Sequence, residues 1–186
     1  MKHTVLLILL VFSFCFSFAQ VNDRWKQIDE FMRAGNDAIH SKAQLNVLLD
    51  KICLKYPDTS DRVRAVYSWI TDNIAYDVDV YKNKKVYSSV DSVLKTRKAI
   101  CAGYTRLFQY MCDELGIECR IVNGYARSGM ESLVVSKDSL KVNHSWCAVN
   151  VNGKWHLVDP TWASGYTIEG SNVFTKTRND WYYFTP

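Results

Sequence analysis

The chain of 186 residues carries 23 Lys and Arg against 19 Asp and Glu. This small positive excess, with no basic run beyond pairs such as Lys84-Lys85, gives nucleic-acid binding no electrostatic support. The sequence also contains no internal repeat and no low-complexity tract, which argues against solenoid architectures and long disordered regions.

Residues 1–19 are typical of a secretory signal peptide. A basic residue precedes a short apolar stretch, and the small residues Ser17 and Ala19 suit a cleavage site. The apolar stretch is too short to span a membrane. We therefore expect an exported protein, periplasmic or secreted, whose residues 20–186 form a single domain without stable membrane insertion.

Three amphipathic helices are predicted at the start of the mature chain. Apolar residues at helical spacing mark them: Trp25, Ile28, Phe31 and Met32 in the first, Leu45, Leu48, Leu49 and Ile52 in the second, and Val63, Val66, Tyr67, Ile70 and Ile74 in the third. Pro57 ends the second helix, and residues 58–61 offer N-caps for the third. A polar loop around 82–85 and one or two helical turns within 88–98 follow.

A fourth helix is predicted to begin at Cys101 and to end at Gly116, which suits a C′ cap. Its inward face consists of Tyr104, Phe108, Met111 and Leu115. The remaining segments are predicted as a strand over 117–126, a polar loop over 127–141, a hairpin around 152–153, irregular structure over 162–181 and a last strand within 180–186. The chain stops directly after that strand, which leaves open a continuation beyond Pro186.

The dipeptide Asn152-Gly153 lies between two Val-rich runs. It predicts a β-hairpin, because a type I′ turn needs positive φ at both central positions. A two-residue turn there pairs Val151 with Lys154 and fixes the register of both strands.

Extending that register places Trp146 opposite Asp159 and His144 opposite Thr161. All four side chains then share one face of the hairpin, since side chains alternate along a strand. His144 and Asp159 become diagonal neighbours, roughly 7–8 Å apart at the backbone, so an imidazole and a carboxylate can meet. Such a pair is the base and its orienting group in nucleophilic catalysis.

Cys101 supplies a candidate nucleophile for that pair. Unpaired N–H groups at a helix N-terminus stabilise a thiolate, and a neighbouring imidazolium stabilises it further. Arg97 and Lys98 are expected to add to this effect. The N–H of Cys101 could also serve an oxyanion. The order Cys101, His144, Asp159 therefore predicts a nucleophile, a base and an orienting carboxylate.

The chain contains, in order, DRVRAVYSWITDNIAYD, RKAICAGYTRLFQYMCDELGI, GYA and NHSWCAVNVNGKWHLVDPTW. These motifs resemble the transglutaminase-like superfamily over roughly residues 40–165, most closely exported bacterial proteins related to the kyphoscoliosis peptidase and to a yeast cytokinesis protein. The resemblance implies a papain-like α+β core, in which N-terminal helices and a nucleophile helix pack on an antiparallel sheet. It also implies that Cys101, His144 and Asp159 are the nucleophile, the base and the orienting residue.

Two features of the superfamily are not matched. Cross-linking transglutaminases often have an aromatic residue after the nucleophile, where this chain has Ala102. Some members place an upstream Trp at the oxyanion, and the sequence does not assign that role to Trp69 or Tyr76. Members include transferases, peptidases, amidases and inactive proteins, and the fold does not choose among them.

Three functions therefore remain open. The favoured one is a cysteine-dependent acyl-transfer enzyme acting on peptide or glutamine-type amides, with hydrolysis slightly favoured over transglutamination because the sequence marks no amine site. The alternatives are a catalytically silent binding module at the cell surface and a cell-wall endopeptidase of the NlpC type, a family that usually has a polar third residue, often His, where this chain has Asp159. The expected partner is a protein or peptide substrate, with no cofactor and no metal, since the chain has no C-x-x-C pair.

The other Cys, His and Trp residues are interpreted as structural. Cys53, Cys112, Cys119 and Cys147 are expected to be buried thiols or disulfide partners, of which Cys112 and Cys119 are near enough in sequence to bridge. His156 is expected to pair with Val149 on the opposite face, and His40 to be a solvated helix residue. Among the Trp residues, Trp162 is the best candidate to border the cleft.

Overall fold

The structure is a computed structural model that describes residues 23–34, 39–83, 89–127, 141–168 and 171–185. Its α-helices are α1 (23–34), α2 (Lys42–Lys55), α3 (Thr59–Asn73), α4 (Val78–Lys82), α5 (Val90–Thr96), α6 (Cys101–Glu114) and α7 (Pro160–Ala163). Its strands are β1 (Ala75–Tyr76), β2 (Lys98–Ala99), β3 (Cys119–Gly124), β4 (His144–Val151), β5 (Lys154–Val158), β6 (Gly165–Thr167), β7 (Phe174–Lys176) and β8 (Tyr183–Thr185), with a 3₁₀ helix at Asp180–Tyr182 before β8. The predicted α+β class is confirmed.

The main sheet is antiparallel, with strand order β3-β4-β5-β8. Val151 pairs with Lys154 as the turn chemistry predicts, and Asn152 and Gly153 have φ of 53° and 82°. His156 pairs with Val149, also as predicted. The hairpin signal therefore sets the register of the two central strands.

Helix α6 packs against one face of this sheet and against α3 on its other side. Its inward residues are fully buried, including Tyr104, Phe108 and Met111. The helix ends in a Schellman motif, in which Ile117 N donates to Cys112 O at 2.9 Å and Gly116 has φ 69°. This packing holds the N-terminal end of α6, and with it Cys101, against β4.

The first helices follow the predicted periodicity closely. Ser41 caps α2 by accepting from Gln44 N, and Tyr56 follows α2 in extended conformation ahead of Pro57. Helix α3 ends at Asn73 rather than continuing to Tyr76, because residues 75–76 pair with β2 in a parallel ribbon. His40 lies before α2 rather than within a helix, and it is exposed.

The sequence did not predict two short elements. Residues 78–82, which lead into the predicted loop around 82–85, form α4, and Asp77 caps this helix by accepting from Val80 N. The segment predicted as irregular over 162–181 contains the β6–β7 hairpin, with Gly165 paired to Lys176. Both elements are too short to show a periodic pattern. The prediction of irregular structure over 162–181 is therefore wrong for β6 and β7.

The predicted signal peptide and most of the predicted loop over 127–141 lie outside the described residues. Within the part of the chain that the structure describes, no helix is long and apolar enough to cross a membrane.

Candidate active site

Cys101 is the first residue of α6, directly after the N-cap Ile100. Its side chain is partly exposed, whereas the next turns of the helix are buried. The backbone N–H groups of Ala102 and Ser145 lower the pKa of its thiol. The helix start therefore presents a partly exposed thiol next to N–H donors.

His144 opens β4, and 7% of its surface is exposed. Its Nε2 lies 2.6 Å from Asp159 Oδ2, and interactions with Asp159 and Cys101 both raise its pKa. Because Nε2 is engaged by the carboxylate, Nδ1 is the ring nitrogen left available to the sulfur. The three residues predicted for the site are thus brought together.

Asp159 reaches His144 by a different route from the predicted one. Strand β5 ends at Val158, and Asp159 is the N-cap of α7, with its Oδ1 accepting from Thr161 N at 3.0 Å and Trp162 N at 3.1 Å. The predicted pairs of Trp146 with Asp159 and of His144 with Thr161 are therefore wrong. Pro160 causes the change, since it lacks an N–H for the ladder and its fixed φ suits the first turn of a helix.

The charges of the three groups reinforce one another. Burial raises the pKa of the Cys101 thiol, but the hydrogen bond and charge of His144 outweigh this and bring the pKa below its ordinary value. Burial lowers the pKa of His144, and the hydrogen bonds and charges of Asp159 and Cys101 more than compensate, so that the pKa is raised to about 9. The arrangement favours a thiolate–imidazolium pair.

Aromatic rings enclose the imidazole. The Trp162 ring is stacked on His144, with ring centroids 4.5 Å apart and an interplanar angle of 14°, and the Trp146 ring centroid lies 6.0 Å from that of His144. Trp162, predicted to border the site, thus contacts the candidate base directly. Its position depends on α7, which Asp159 caps, so one carboxylate fixes both the imidazole and the ring that covers it.

Asn143 has a role that the sequence did not suggest. Its side chain accepts from Ala126 N at 2.8 Å and donates to Ala126 O at 2.9 Å. This pair of bonds joins the residue before His144 to the chain after β3. It fixes the two ends of the segment between β3 and β4 next to the candidate site.

Arg97 is engaged away from the thiolate that Arg97 and Lys98 are expected to stabilise. The Arg97 side chain donates to Asn73 O and Ile39 O, both at 3.1 Å, because Arg97 ends α5 with φ 58° and turns away from α6. Lys98 is exposed, and neither residue is among the groups that shift the pKa of Cys101. The hydrogen bonds that lower this pKa come from His144 and backbone N–H groups instead.

The two upstream aromatic residues lie in different environments. Trp69 is fully buried in α3, and Cζ of the Arg97 guanidinium lies 5.3 Å from the centroid of its ring. Tyr76 pairs with Ala99, two residues before Cys101, and burial and the charge of Cys101 both raise the pKa of its phenol. Of these two residues, Tyr76 is therefore the one near a molecule bound at the thiol.

The other four cysteines of the described residues are free thiols. Cys112, Cys119 and Cys147 are buried, Cys147 Sγ donates to Thr105 O at 3.7 Å, and the bridge considered for Cys112 and Cys119 is not formed. Cys53 is exposed on α2, contrary to the expectation that it is buried. Among the described residues, no group of His, Cys, Asp or Glu side chains is placed to hold a metal ion.

Comparison with known proteins shows the family of this chain. The family model of the transglutaminase-like superfamily matches residues 48–160. Kyphoscoliosis peptidase from Mus musculus is 34% identical over 158 residues, covering 84% of this chain and 24% of that protein, and the Homo sapiens protein is 34% identical over 149 residues, covering 79% and 22%. Cytokinesis protein 3 from Schizosaccharomyces pombe is 23% identical over 122 residues, covering 66% and 13%.

The chain spans about a quarter of the length of the kyphoscoliosis peptidases that it matches. Among solved structures, the periplasmic domain of TgpA from Pseudomonas aeruginosa is similar, with a TM-score of 0.49 and 20% identity, covering 75% of this chain and 46% of that one.

Proposed function

Because this chain belongs to the transglutaminase-like superfamily, we propose that it is an exported, cysteine-dependent acyl-transfer enzyme that uses Cys101, His144 and Asp159. The observation that carries the proposal is the 2.6 Å hydrogen bond between His144 Nε2 and Asp159 Oδ2, beside a Cys101 thiol whose pKa the His144 imidazole lowers. Nucleophile, base and orienting group in contact are the arrangement that acyl transfer through a thioester requires. The substrate class is a peptide or glutamine-type amide.

The chemistry begins with attack of the Cys101 thiolate on the amide carbonyl. A C–S bond forms, and the carbonyl electron pair moves to oxygen. When the tetrahedral intermediate collapses, the C–N bond breaks and His144 Nδ1–H donates its proton to the leaving nitrogen, which departs as an amine. His144 then takes a proton from a water molecule that attacks the thioester, which releases a carboxylate and regenerates the thiol.

Asp159 holds the imidazole in the tautomer that these reaction steps need. A carboxylate on Nε2 keeps the proton on that nitrogen, so that Nδ1 alternates between donor and acceptor. It also stabilises the imidazolium that forms beside the thiolate, in keeping with the raised pKa of His144. We assign Asp159 no contact with substrate.

We propose hydrolysis in preference to amine transfer. A transferase must hold an amine against the thioester, and an acidic side chain beside the thiol would attract a lysine donor. The carboxylate of the site, Asp159, is already engaged by the His144 ring and by the N–H groups of Thr161 and Trp162. Two relatives are named peptidases, which also supports hydrolysis. The acidic residues Glu131 and Asp138 lie outside the described part.

The test measures both products in one reaction. Mature protein is incubated with a peptide library containing glutamine and with excess isotopically labelled amine, and the products are identified by mass spectrometry. We expect cleaved or deamidated peptides, with amine incorporation a minor product. Cys101→Ala should abolish all product, whereas Cys53→Ser, which removes the exposed thiol of α2, should leave the rate unchanged.

Two results would contradict the proposal in different ways. Dominant amine incorporation that saturates with amine concentration would make the protein a transferase. Absence of every product, although Cys101 is alkylated readily, would favour the catalytically silent binding module.

A further inference from the structure

Three aromatic side chains from separate elements lie side by side near Cys101. The Tyr76 ring of β1 is 6.0 Å from the Tyr81 ring of α4 and 6.3 Å from the Phe174 ring of β7, between centroids. We refer to Tyr76, Tyr81 and Phe174 as the Tyr76 wall.

The Tyr76 wall borders the candidate nucleophile. In the parallel ribbon of β1 and β2, Tyr76 pairs with Ala99, and Cys101 follows Ala99 after a single residue. The charge of Cys101 reaches the Tyr76 phenol, whose pKa is raised first by burial and then by that thiolate. A molecule bound at the sulfur therefore lies close to the aromatic surface.

The surrounding backbone leaves space for the Phe174 ring and fixes the strand that carries Tyr76. Gly165 has φ 150°, and a Cβ there would lie 2.7 Å from Cζ of Phe174, so the Phe174 ring occupies the space that another residue's side chain would need. Behind Tyr76, Ile74 O accepts from Tyr104 Oη at 2.7 Å and from Lys176 Nζ at 2.9 Å. These bonds anchor β1 to α6 and β7.

The front of the Tyr76 wall is open. Tyr81 is 62% exposed, and Tyr76 and Phe174 are partly exposed. An aromatic surface that is fixed from behind and accessible in front gains free energy when an apolar group covers it. The occupant that fits is an apolar side chain rather than a charged one.

The two sides of the thiol differ in chemistry. His144 lies on β4 and is stacked against Trp162, whereas Tyr76 lies on β1 beside Tyr81 and Phe174, so the two groups border Cys101 from different elements. Because His144 protonates the leaving nitrogen, the leaving group occupies the His144 side. The acyl portion of the substrate then lies on the side of the thiol that faces the Tyr76 wall.

We propose that the Tyr76 wall binds an apolar, preferably aromatic, side chain of the acyl-donor peptide, among the residues that immediately precede the reacting carbonyl. This assignment rests on the proposed acyl-transfer function and adds a substrate preference to it. Tyr81, the most exposed of the three, is the residue that determines the preference most directly.

The test uses peptidyl chloromethyl ketones, in which the Cys101 thiolate forms a C–S bond and chloride leaves. Two series of probes differ only in carrying phenylalanine or glycine at one of the three residues before the ketone. In a Cys53→Ser background, we expect the best phenylalanine probe to alkylate Cys101 about tenfold faster than its glycine counterpart, as intact mass shows over time.

Substitutions on the Tyr76 wall should change this ratio selectively. Tyr81→Ala should bring the ratio of phenylalanine to glycine rates close to one, and Tyr81→Phe should retain it, since the ring remains. Trp155→Ala is the matched control, because Trp155 is also an exposed aromatic residue, at 44%, but lies on β5. That variant should keep the preference.

Equal rates for both probe series in the parent protein, or a preference that survives Tyr81→Ala, would overturn the assignment. Alkylation requires a reactive thiol but no turnover. Selective alkylation without peptide hydrolysis would therefore refute the proposed function and leave the subsite standing, whereas hydrolysis without the preference would do the reverse. Failure of every probe to alkylate Cys101 would overturn both.

Discussion

At the scale of single residues, the site depends on mutual stabilisation of two charges. The Cys101 thiolate needs the His144 imidazolium, because burial alone would raise the thiol pKa. The imidazolium needs Asp159 and the thiolate for the opposite reason, since burial alone would lower its pKa. The reactive ion pair therefore exists above the pKa of Cys101 and below the pKa of His144, which is about 9.

Replacing the base should reverse the pKa shift of the nucleophile. In His144→Asn, on a Cys53→Ser background, the hydrogen bond and charge that lower the Cys101 pKa are lost and burial dominates. We expect the midpoint of the alkylation rate against pH to move from below the ordinary thiol value of about 8.5 to above it. Iodoacetamide labelling followed by intact mass measures this, and an unchanged midpoint would show that His144 does not act on the thiol.

Substitutions of Asp159 should separate its two contacts. The sequence predicts that Asp159→Asn is milder than Asp159→Ala, because Asn can still accept from His144. The structure adds that Oδ1 already accepts from Thr161 N and Trp162 N, so one Asn oxygen cannot serve both the imidazole and the cap.

We therefore expect Asn to keep the α7 cap and most of the stability, but to lower kcat/KM strongly by favouring the wrong tautomer of His144. Ala should lose the same activity and, in addition, about 0.5–2 kcal/mol of unfolding free energy from the lost cap. Steady-state kinetics and urea denaturation separate the two effects. Equal stability of both variants would argue against the capping role.

At the scale of secondary-structure elements, the position of β3 next to β4 determines how closely the aromatic rings approach His144. Gly124 is the last residue of β3 and pairs with His144. The Trp146 ring lies over Gly124, so that a Cβ there would be 2.5 Å from Cη2 of Trp146. A glycine on one strand thus makes room for the ring that flanks the candidate base on the next.

Alanine at Gly124 should consequently impair the site. The added methyl group must displace the Trp146 indole, which lies 6.0 Å from the His144 ring, and we expect the alkylation rate of Cys101 by a peptidyl chloromethyl ketone to fall about tenfold.

Gly116→Ala provides the matched control, because a Cβ there meets nothing within 4 Å but the φ of 69° is strained for alanine. It should cost about 1–2 kcal/mol of unfolding free energy and leave the alkylation rate unchanged. Loss of reactivity in Gly116→Ala alone would reverse this interpretation.

At the scale of the whole molecule, a buried charge network joins the two ends of the described chain. Asp29 on α1 accepts from Arg64 on α3, with distances of 3.0 and 2.7 Å, and from Arg178 ahead of the 3₁₀ helix. Asp180 accepts from Arg64 at 2.7 Å. The Arg64 and Asp29 side chains are only 2% and 6% exposed, so these charges depend on one another for solvation.

Removing one partner of this network should destabilise the fold. Asp29→Ala leaves the buried Arg64 guanidinium with the half-exposed Asp180 as its remaining carboxylate, and we expect a loss of about 3–5 kcal/mol of unfolding free energy. Glu118→Ala removes a carboxylate that is 51% exposed and paired with Arg120, and should cost less than about 1 kcal/mol. Similar denaturation midpoints for the two variants would show that the network contributes little.

Local patterns in the sequence predicted most of the helices and the central strands. Helical periodicity is visible wherever one face is buried over several turns, as in α3 and α6, and the Asn152-Gly153 turn sets the pairing of β4 with β5. The order of Cys101, His144 and Asp159 also identified the three side chains that the structure brings into contact. These features depend on residues that are close together in the chain, so local sequence patterns predict them.

Tertiary structure alone decided how those side chains meet and what surrounds them. Asp159 leaves the strand as the cap of a four-residue helix, Arg97 turns towards α3, and Tyr76 comes to lie beside Cys101 through a two-residue ribbon. None of these positions has a periodic signal, because each depends on contacts between segments far apart in the chain. The sequence by itself therefore determined the identity of the candidate catalytic groups, and packing between distant elements determined their geometry and the surface offered to a substrate.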